Sequence, residues 1–416
     1  MNKIHTSERG GFSQERLGRL SRILQGFVVR GEMAGMVALI HRHGEEAHVE
    51  TVGWQDQEGQ LPMRRDTIFR IASMTKPVVA AAVLTLVEEG KIRLYDPVDA
   101  WLPELARRMV MRDPDGSPED VYPSPRAITL HDLLTYRMGL GWGKSSLSAR
   151  IFSLTTGPVA DALQVPDLEH LTPDEWMARI GEFPLLYEPG TRWLYHVPAE
   201  ILGVLITRIT GQSLETFLRE RIFNPLGMVD TSFSVVPEKR NRLATLYAPA
   251  PEGGLTIRDH AHSTGWAEPP LFQSGGGGLV STVDDFQCFG RMLLNKGELN
   301  GIRVLSRKTV EAMTTDYLTP EQHGYPIGNF ERYDADRSAM WNNWGFGYGV
   351  AVRTRRIGLG PSVGSFYWPG AFGTTWIVDP QEDMVATLLP QILGANPFYT
   401  QVGEDFLAMT YQAIAD

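Results

Sequence analysis

Ser73 and Lys76 stand three residues apart at the head of the apolar stretch Pro77 to Val87. On a helix that spacing puts both side chains on one face. A serine hydroxyl is a weak nucleophile until a base takes its proton. A lysine in dry surroundings can be that base, because desolvation disfavours its charged form. A helix N-terminus favours negative charge and suits an oxygen turning anionic. Pro77 fits a first turn and biases Lys76 away from the αR region. The pair alone is a weak signal, since S-x-x-K recurs by chance in long chains; a capping serine and a snorkelling lysine account for it equally well.

Other constellations carry less. Gly360-Pro361-Ser362-Val363-Gly364 fits the G-x-S-x-G nucleophile elbow, but that motif needs a strand before, a helix after and a later histidine, and the last histidine is His323. The close histidine pairs, His41/His43 and His260/His262, have no H-E-x-x-H or cysteine set beside them, so no metal is expected and they read as surface hairpin and loop residues. The Ser274–Gly278 run lacks the Lys-[Ser/Thr] of a phosphate loop and reads as close backbone packing. Cys288, the single cysteine, reads as a small buried apolar residue, and no intrachain disulfide can form. Dinucleotide and Walker fingerprints are absent, so no cofactor is expected.

The elements around Ser73 read as an α+β protein. Ser13–Arg30 has helical apolar spacing; Met36–His41 and Ala47–Val52 alternate as a hairpin with His43-Gly44 in the turn. The helix carrying Lys76 ends at Glu88-Glu89-Gly90. From Asp96 to Thr191 short helices alternate with Pro- and Asp-rich loops such as 112–126. Thr129 with Asp132, and the capping box Thr172-Pro173-Asp174-Glu175, mark helix starts there. Thr282–Lys296 is a capped helix, Gly345–Val352, Trp376–Val378 and Met384–Leu389 are strands, and Val402–Ile414 is a closing helix. The expected architecture is an antiparallel sheet built from both chain ends and flanked by helices, with a mostly helical insertion. The expected division is a sheet domain from 1–82 and 192–416 and a helical domain over 83–191.

Composition narrows the class. The chain has 416 residues, 43% hydrophobic and 21% charged, enough apolar material for a large core. A net charge of −10 with no basic run argues against a nucleic-acid partner. No apolar run reaches the ~18 residues of a membrane span, and the N-terminus has no signal-peptide core. The expectation is a cytoplasmic protein with no membrane partner; nothing in the sequence fixes an oligomeric state.

The Ser73–Lys76 pair does not stand alone. Thr129–Gly143, Glu188–Gly203, Ser274–Phe286, Trp344–Gly349 and Tyr367–Pro380 follow it as ordered blocks. With Arg70–Pro77 they resemble the serine β-lactamase and penicillin-binding-protein-like superfamily from about Gly35 onward. Within it the chain most resembles family VIII carboxylesterases, which are similar in fold to class C β-lactamases. An ordered set of blocks is far more specific than one motif. The resemblance implies Ser73 as nucleophile, Lys76 as its partner and Tyr195 as proton shuttle to the leaving group. It implies an oxyanion hole from the backbone N–H groups of Ser73 and Ala371. Trp368-Pro369-Gly370 occupies the K-T-G position in the esterases' W-x-G form. Trp368 and Pro369 replace the lysine and hydroxyl that bind a β-lactam carboxylate, Val197 stands where asparagine is common, and Thr374 where many esterases have histidine. These departures imply neutral esters in place of carboxylate-bearing drugs. The expected substrate is a short- to medium-chain ester, with Tyr136, Trp142, Trp368, Gly370 and Phe372 as the expected pocket residues. The base, Lys76 or Tyr195, stays open, as do acyltransferase, weak β-lactamase and D-amino-acid peptidase variants of the same site. A binding protein that kept the fold but lost the chemistry is the rival of another class.

Overall fold

The computed structural model describes residues 9–142, 145–154, 171–262, 264–322, 343–394 and 401–416. Two strands near the N-terminus, β1 (Gly35–Arg42) and β2 (Glu45–Asp56), form the expected hairpin, with Leu61–Pro62 added as β3. Five strands come from the far end of the chain: β4 (Trp344–Phe346), β5 (Ala351–Arg353), β6 (Phe366–Tyr367), β7 (Thr375–Asp379) and β8 (Met384–Pro390). They join in one sheet of order β4-β5-β6-β7-β8-β1-β2-β3, antiparallel throughout. The join is β1 against β8, in register from Met36 opposite Pro390 to Arg42 opposite Met384.

Period-two alternation sorts β1 into two cores. Met36, Ala38 and Ile40 face one apolar cluster with Leu17, Leu20, Leu24 and Phe27 of α1 (Gln14–Val29). Val37 and Leu39 face another. It contains Val78, Val79 and Val83 of α2 (Thr75–Glu88), helix α3 (Val197–Thr210), and Phe286 and Phe289 of α4 (Val283–Leu294). The closing helix α5 (Gln401–Gln412) packs on α1, so the sheet lies between two helical layers. Helix α2 is buried from Thr75 to Leu86, as a helix apolar on every side must be. Both expected helix starts, at Thr129 and Thr172, are formed, and each is a capping box, expected from the sequence only at Thr172.

Two local expectations change. Gly345–Val352, expected as one strand, is a tight hairpin closed by Gly347 N–H donating to Val350 O at 2.8 Å. Gly347 leaves no room for a Cβ against the Met313 carbonyl, and Gly349 has φ +72°, so the glycines turn the chain where the apolar pattern suggested continuity. The 112–126 loop contributes a short strand, Val121–Pro123, paired with Met109–Met111.

Among the described residues no helix is long and apolar enough to cross a membrane.

Candidate active site

The segment leading to Ser73 is held by backbone on both sides. Phe69–Arg70 pairs with Val280–Ser281, and Ile71 N–H reaches Leu279 O at 3.0 Å. The chain then turns through Ala72 at φ +44° into a 3-10 helix, Ala72–Met74, which runs directly into α2. Ser73 thus lies one step before the α-helix that carries Lys76. Thr75 locks this junction by donating to Ala72 O at 2.7 Å and accepting from Leu279 N–H at 3.1 Å.

Tyr195 arrives from the opposite side. Its carbonyl accepts Trp142 N–H at 2.9 Å, and Leu194 N–H donates to Tyr136 O at 2.8 Å. The next residue, His196, is the centre of a γ-turn: φ +77°, ψ −62°, with Val197 N–H donating to Tyr195 O at 3.1 Å. That is the rarer, strained form of the turn, costing on the order of 1–3 kcal/mol for a residue with a Cβ. The turn starts α3 immediately after Tyr195.

The three groups meet. Lys76 Nζ lies 3.0 Å from Ser73 Oγ, within hydrogen-bond reach, and the Tyr195 hydroxyl donates to the same oxygen at 2.8 Å. Lys76 Nζ also lies 4.5 Å from the Tyr195 ring centroid. Lys76 is 1% exposed and Tyr195 5%, while Ser73 keeps an opening to solvent. Burial pulls the Lys76 amine from its ordinary value to about 7, against the opposing charge of Glu200. Burial drives the Tyr195 phenol above its ordinary range, outweighing the hydrogen bonds to Ser73 and Trp368.

Of the expected wall residues, Trp368 does more than pack: its indole N–H donates to the Tyr195 oxygen at 3.1 Å. Trp142 stacks flat on His196, centroids 3.9 Å apart, and meets Tyr195 edge-on at 5.6 Å. Tyr136 is fully buried behind Tyr195, its ring 6.4 Å away. Phe372 departs from expectation. It is fully buried in a separate cluster with Ile68, Ala72, Leu246 and Trp266, where the turn after Gly370 folds it under the Ser73 segment. Gly370 is where that turn meets the segment; a Cβ there would collide with Ile71 O and Thr374 Oγ1. Thr374, in the place of the esterase histidine, donates to Ile71 O at 3.2 Å and ties the two chains together.

Two further side chains, which the sequence reading did not single out, lie behind Lys76. His196 Nδ1 is 3.3 Å from Lys76 Nζ, and its Nε2 is 3.0 Å from Glu200 Oε1, an ion-pair distance at which the ring N–H points too far off line to make a hydrogen bond. Ser274 donates to the same carboxylate oxygen at 2.6 Å. Gly276 O, in the glycine run, accepts from Lys76 Nζ. A Cβ at Gly276 would sit 2.6 Å from Glu200 Oε1 and 3.0 Å from His196 Cε1, so the run does serve close backbone packing, and also offers an acceptor. Burial, then the charge of Lys76, brings His196 down to about 4. Burial raises the Glu200 carboxyl, but the His196 and Ser274 contacts outweigh it and hold it below the usual range. The available signal was a carboxylate four residues after a histidine in the otherwise apolar helix start Val197–Leu205.

The remaining histidines divide. His41 is buried, contrary to expectation, because it lies on an inner strand; burial moves it to about 4. His43 is exposed at the hairpin turn, 3.3 Å from both Asp383 and Asp416. His260 and His262 gain a partner unforeseen in the sequence: buried Asp56, with ligand atoms of the three within 4.8 Å of one another. His260 Nδ1 accepts His262 N–H at 3.1 Å, which leaves the ring hydrogen on Nε2, the atom 3.6 Å from Asp56 Oδ2. Asp56 already receives Gly59 N–H on one carboxylate oxygen and the Thr245 hydroxyl on the other. Ser362 of the G-x-S-x-G stretch sits in a turn between β5 and β6, its N–H bound to Asp379, with no helix after it. Cys288 is half-buried on α4, less enclosed than expected.

A helix-tip serine flanked by lysine and tyrosine, beside an antiparallel sheet made from both chain ends, defines a β-lactamase/transpeptidase-like serine-hydrolase class. The chain belongs to the β-lactamase family, whose model matches residues 20–403. It is 38% identical over 368 residues to protein Rv1367c of Mycobacterium tuberculosis, covering 87% of this chain and 86% of that one. It is 33% identical over 385 residues to the esterase EstB of Burkholderia gladioli, again covering 87% and 86%. Among solved structures it resembles EstCE1, a hydrolase with promiscuous acyltransferase activity. The TM-score is 0.75 at 22% identity, covering 97% of this chain and 99% of that one.

Proposed function

We propose that the protein is a carboxylesterase that cleaves neutral short- to medium-chain esters through an acyl-enzyme on Ser73. One observation carries the reading: Ser73 Oγ has Lys76 Nζ at 3.0 Å and the Tyr195 hydroxyl at 2.8 Å in a site closed to water on the lysine side. The relation to EstB supports the ester substrate class.

Ser73 Oγ bonds to the ester carbonyl carbon, and its proton passes to Lys76. The amine, brought to about 7, is substantially proton-free near neutrality, whereas the phenol, pushed above its ordinary range, keeps its proton. This divides the roles the sequence left open: Lys76 is the base, and Tyr195 the acid that protonates the departing alkoxide as the C–O bond breaks. The oxyanion rests on the N–H groups of Ser73 and Ala371. Ser73 is the second residue of its 3-10 helix, where N–H groups have no acceptor inside the helix. Two such donors are worth several kcal/mol in the transition state. The proton on Lys76 then returns to Tyr195. Water attacks the acyl carbon, its proton passing by way of the neutral Lys76 to Ser73 Oγ as the acyl C–O bond breaks, which releases the acid and restores all three groups. Trp142, Trp368 and the Gly370 backbone border the acyl group; Tyr136, fully buried, backs that wall.

Turnover of a p-nitrophenyl butanoate by Ser73→Ala should fall by ~10⁴ or more, with fluorophosphonate labelling abolished. Near-native turnover in that variant would refute the assignment. An acyl-enzyme yields its acyl group to whichever nucleophile reaches it, so added alcohol tests for transesterified product, and a chromogenic cephalosporin for lactam opening.

A further inference from the structure

We infer that Glu200 and His196 form a tautomer lock that aims the lone pair of the Lys76 amine at Ser73, making both of them positioning residues for the proton transfer. The inference rests on the reading of Ser73 and Lys76 given above.

A neutral primary amine has two N–H bonds and one lone pair. Lys76 Nζ has three polar neighbours: Gly276 O, His196 Nδ1 and Ser73 Oγ. Gly276 O can only accept. If His196 Nδ1 also accepts, both N–H bonds are taken, and the lone pair is left pointing at the Ser73 hydroxyl. If Nδ1 instead carries hydrogen, it competes for that lone pair, and the amine must turn an N–H toward Ser73. The tautomer of one imidazole therefore decides whether Lys76 meets the serine as base or as donor.

Glu200 sets that tautomer. Its Oε1 lies 3.0 Å from His196 Nε2, and the carboxylate is ionised, so hydrogen on Nε2 and a bare Nδ1 is the favoured state. Both residues are within the core, His196 4% and Glu200 2% exposed, so water does not compete for these contacts. Ser274 donates to Oε1 and fixes the carboxylate. Trp142 stacks on the ring and prevents its rotation. The strained γ-turn puts the ring where it can touch Lys76 and Glu200 at once. The charged or titratable groups facing His196 are Lys76 from α2 and Glu200 from α3, with Tyr195 beside it in the chain. No atom is gained or lost by the lock itself; the proton leaving Ser73 moves only to Lys76.

The direct test is ¹⁵N NMR of the whole enzyme labelled at histidine, with His196→Gln used to assign its resonances among the 10 histidines. At neutral pH the His196 ring should show hydrogen on Nε2 and a bare Nδ1. Hydrogen on Nδ1, or a doubly protonated ring, overturns the lock whatever the activity. That readout needs no turnover, so it stays separate from failure of Ser73→Ala to abolish activity, which would refute the nucleophile instead. Kinetics supply a second arm. His196→Gln, whose amide oxygen can still accept from Lys76, should keep kcat within ~10-fold of native, while His196→Leu should lose ~100-fold or more with KM nearly unchanged. Glu200→Gln removes the charge that raises the Lys76 pKa, so the acid limb of kcat/KM should move to lower pH while its plateau falls. Equal losses in His196→Gln and His196→Leu, or an unmoved acid limb in Glu200→Gln, would reduce the pair to packing.

Discussion

The indole N–H of Trp368 donates to the Tyr195 oxygen at 3.1 Å, and that phenol donates onward to Ser73 at 2.8 Å. A donor aimed at a phenol oxygen favours the phenolate, so Trp368 strengthens Tyr195 as an acid. An alkyl alkoxide needs that acid when it leaves; p-nitrophenolate, already a weak base, does not. Trp368→Phe should therefore lower kcat by roughly 10- to 150-fold on an ethyl ester, a hydrogen bond to a developing charge being worth roughly 1.5–3 kcal/mol, and by less on the p-nitrophenyl ester of the same acid. Steady-state kinetics on the matched pair check this. Equal losses would assign Trp368 to packing alone.

The pH dependence of kcat/KM follows from Lys76. Burial brings its amine to about 7, and only the neutral form can take the Ser73 proton. The rate should rise through that value and, well below it, fall about tenfold for each pH unit. Tyr195 is held above its ordinary range, so no alkaline decline should appear before the protein itself begins to unfold. A stopped-flow profile on an activated ester decides the point; an acid limb at the ordinary carboxylate pKa would give the base role to another group.

The Ser73–Lys76 pair was legible because three-residue spacing is local, and the two-face sorting of β1 because strand alternation is local too. Tyr195 was not: 122 positions separate it from Ser73, and only the resemblance of its block to others marked it. His196 and Glu200 escaped notice because their meaning depends on a γ-turn and on Lys76, neither visible in a helix-start pattern. Phe372 was assigned to the pocket as one of several aromatics, but the turn there sends it to a different cluster from Trp368. The β4–β5 hairpin was read as one strand because its three glycines alternate with aromatic residues in an otherwise apolar run; what Gly347 does there depends on Met313, far off in the chain.

Lys76 burdens the fold it serves. Its folded pKa lies below the unfolded one, so below about 7 the native state must carry a charged amine in a dry site. The penalty is complete below the folded value, shrinks as pH rises between the folded and unfolded values, and vanishes above the unfolded one. Lys76→Met removes it. The variant should be inactive yet melt about 2 °C higher than native at pH 6, the loss of hydrogen bonds to Gly276 O and His196 limiting the gain, with the difference narrowing toward pH 10. Thermal unfolding by circular dichroism at both pH values measures it. A destabilised variant at pH 6 would mean that those bonds outweigh the charge.

Gly370 controls how closely the last strands approach Ser73, the proposed nucleophile. A Cβ there would collide with Ile71 O, a backbone atom two residues before Ser73, and with Thr374 Oγ1, whose bond to Ile71 O joins the two segments. Thr374 can rotate, but Ile71 O cannot yield without moving Ser73 or the Ala371 N–H. Gly370→Ala should therefore lower kcat by about 100-fold, the loss expected for one misplaced oxyanion donor, while a p-nitrophenyl ester still binds. Thr374→Ala, which removes only the side-chain tie, should cost less than tenfold, the usual scale for one neutral hydrogen bond of ~1 kcal/mol. If the double variant Gly370→Ala/Thr374→Ala recovers native kcat, the obstruction is the threonine hydroxyl. If it stays at the level of Gly370→Ala, the backbone contact with Ile71 sets the spacing between nucleophile and oxyanion donor, the outcome expected here.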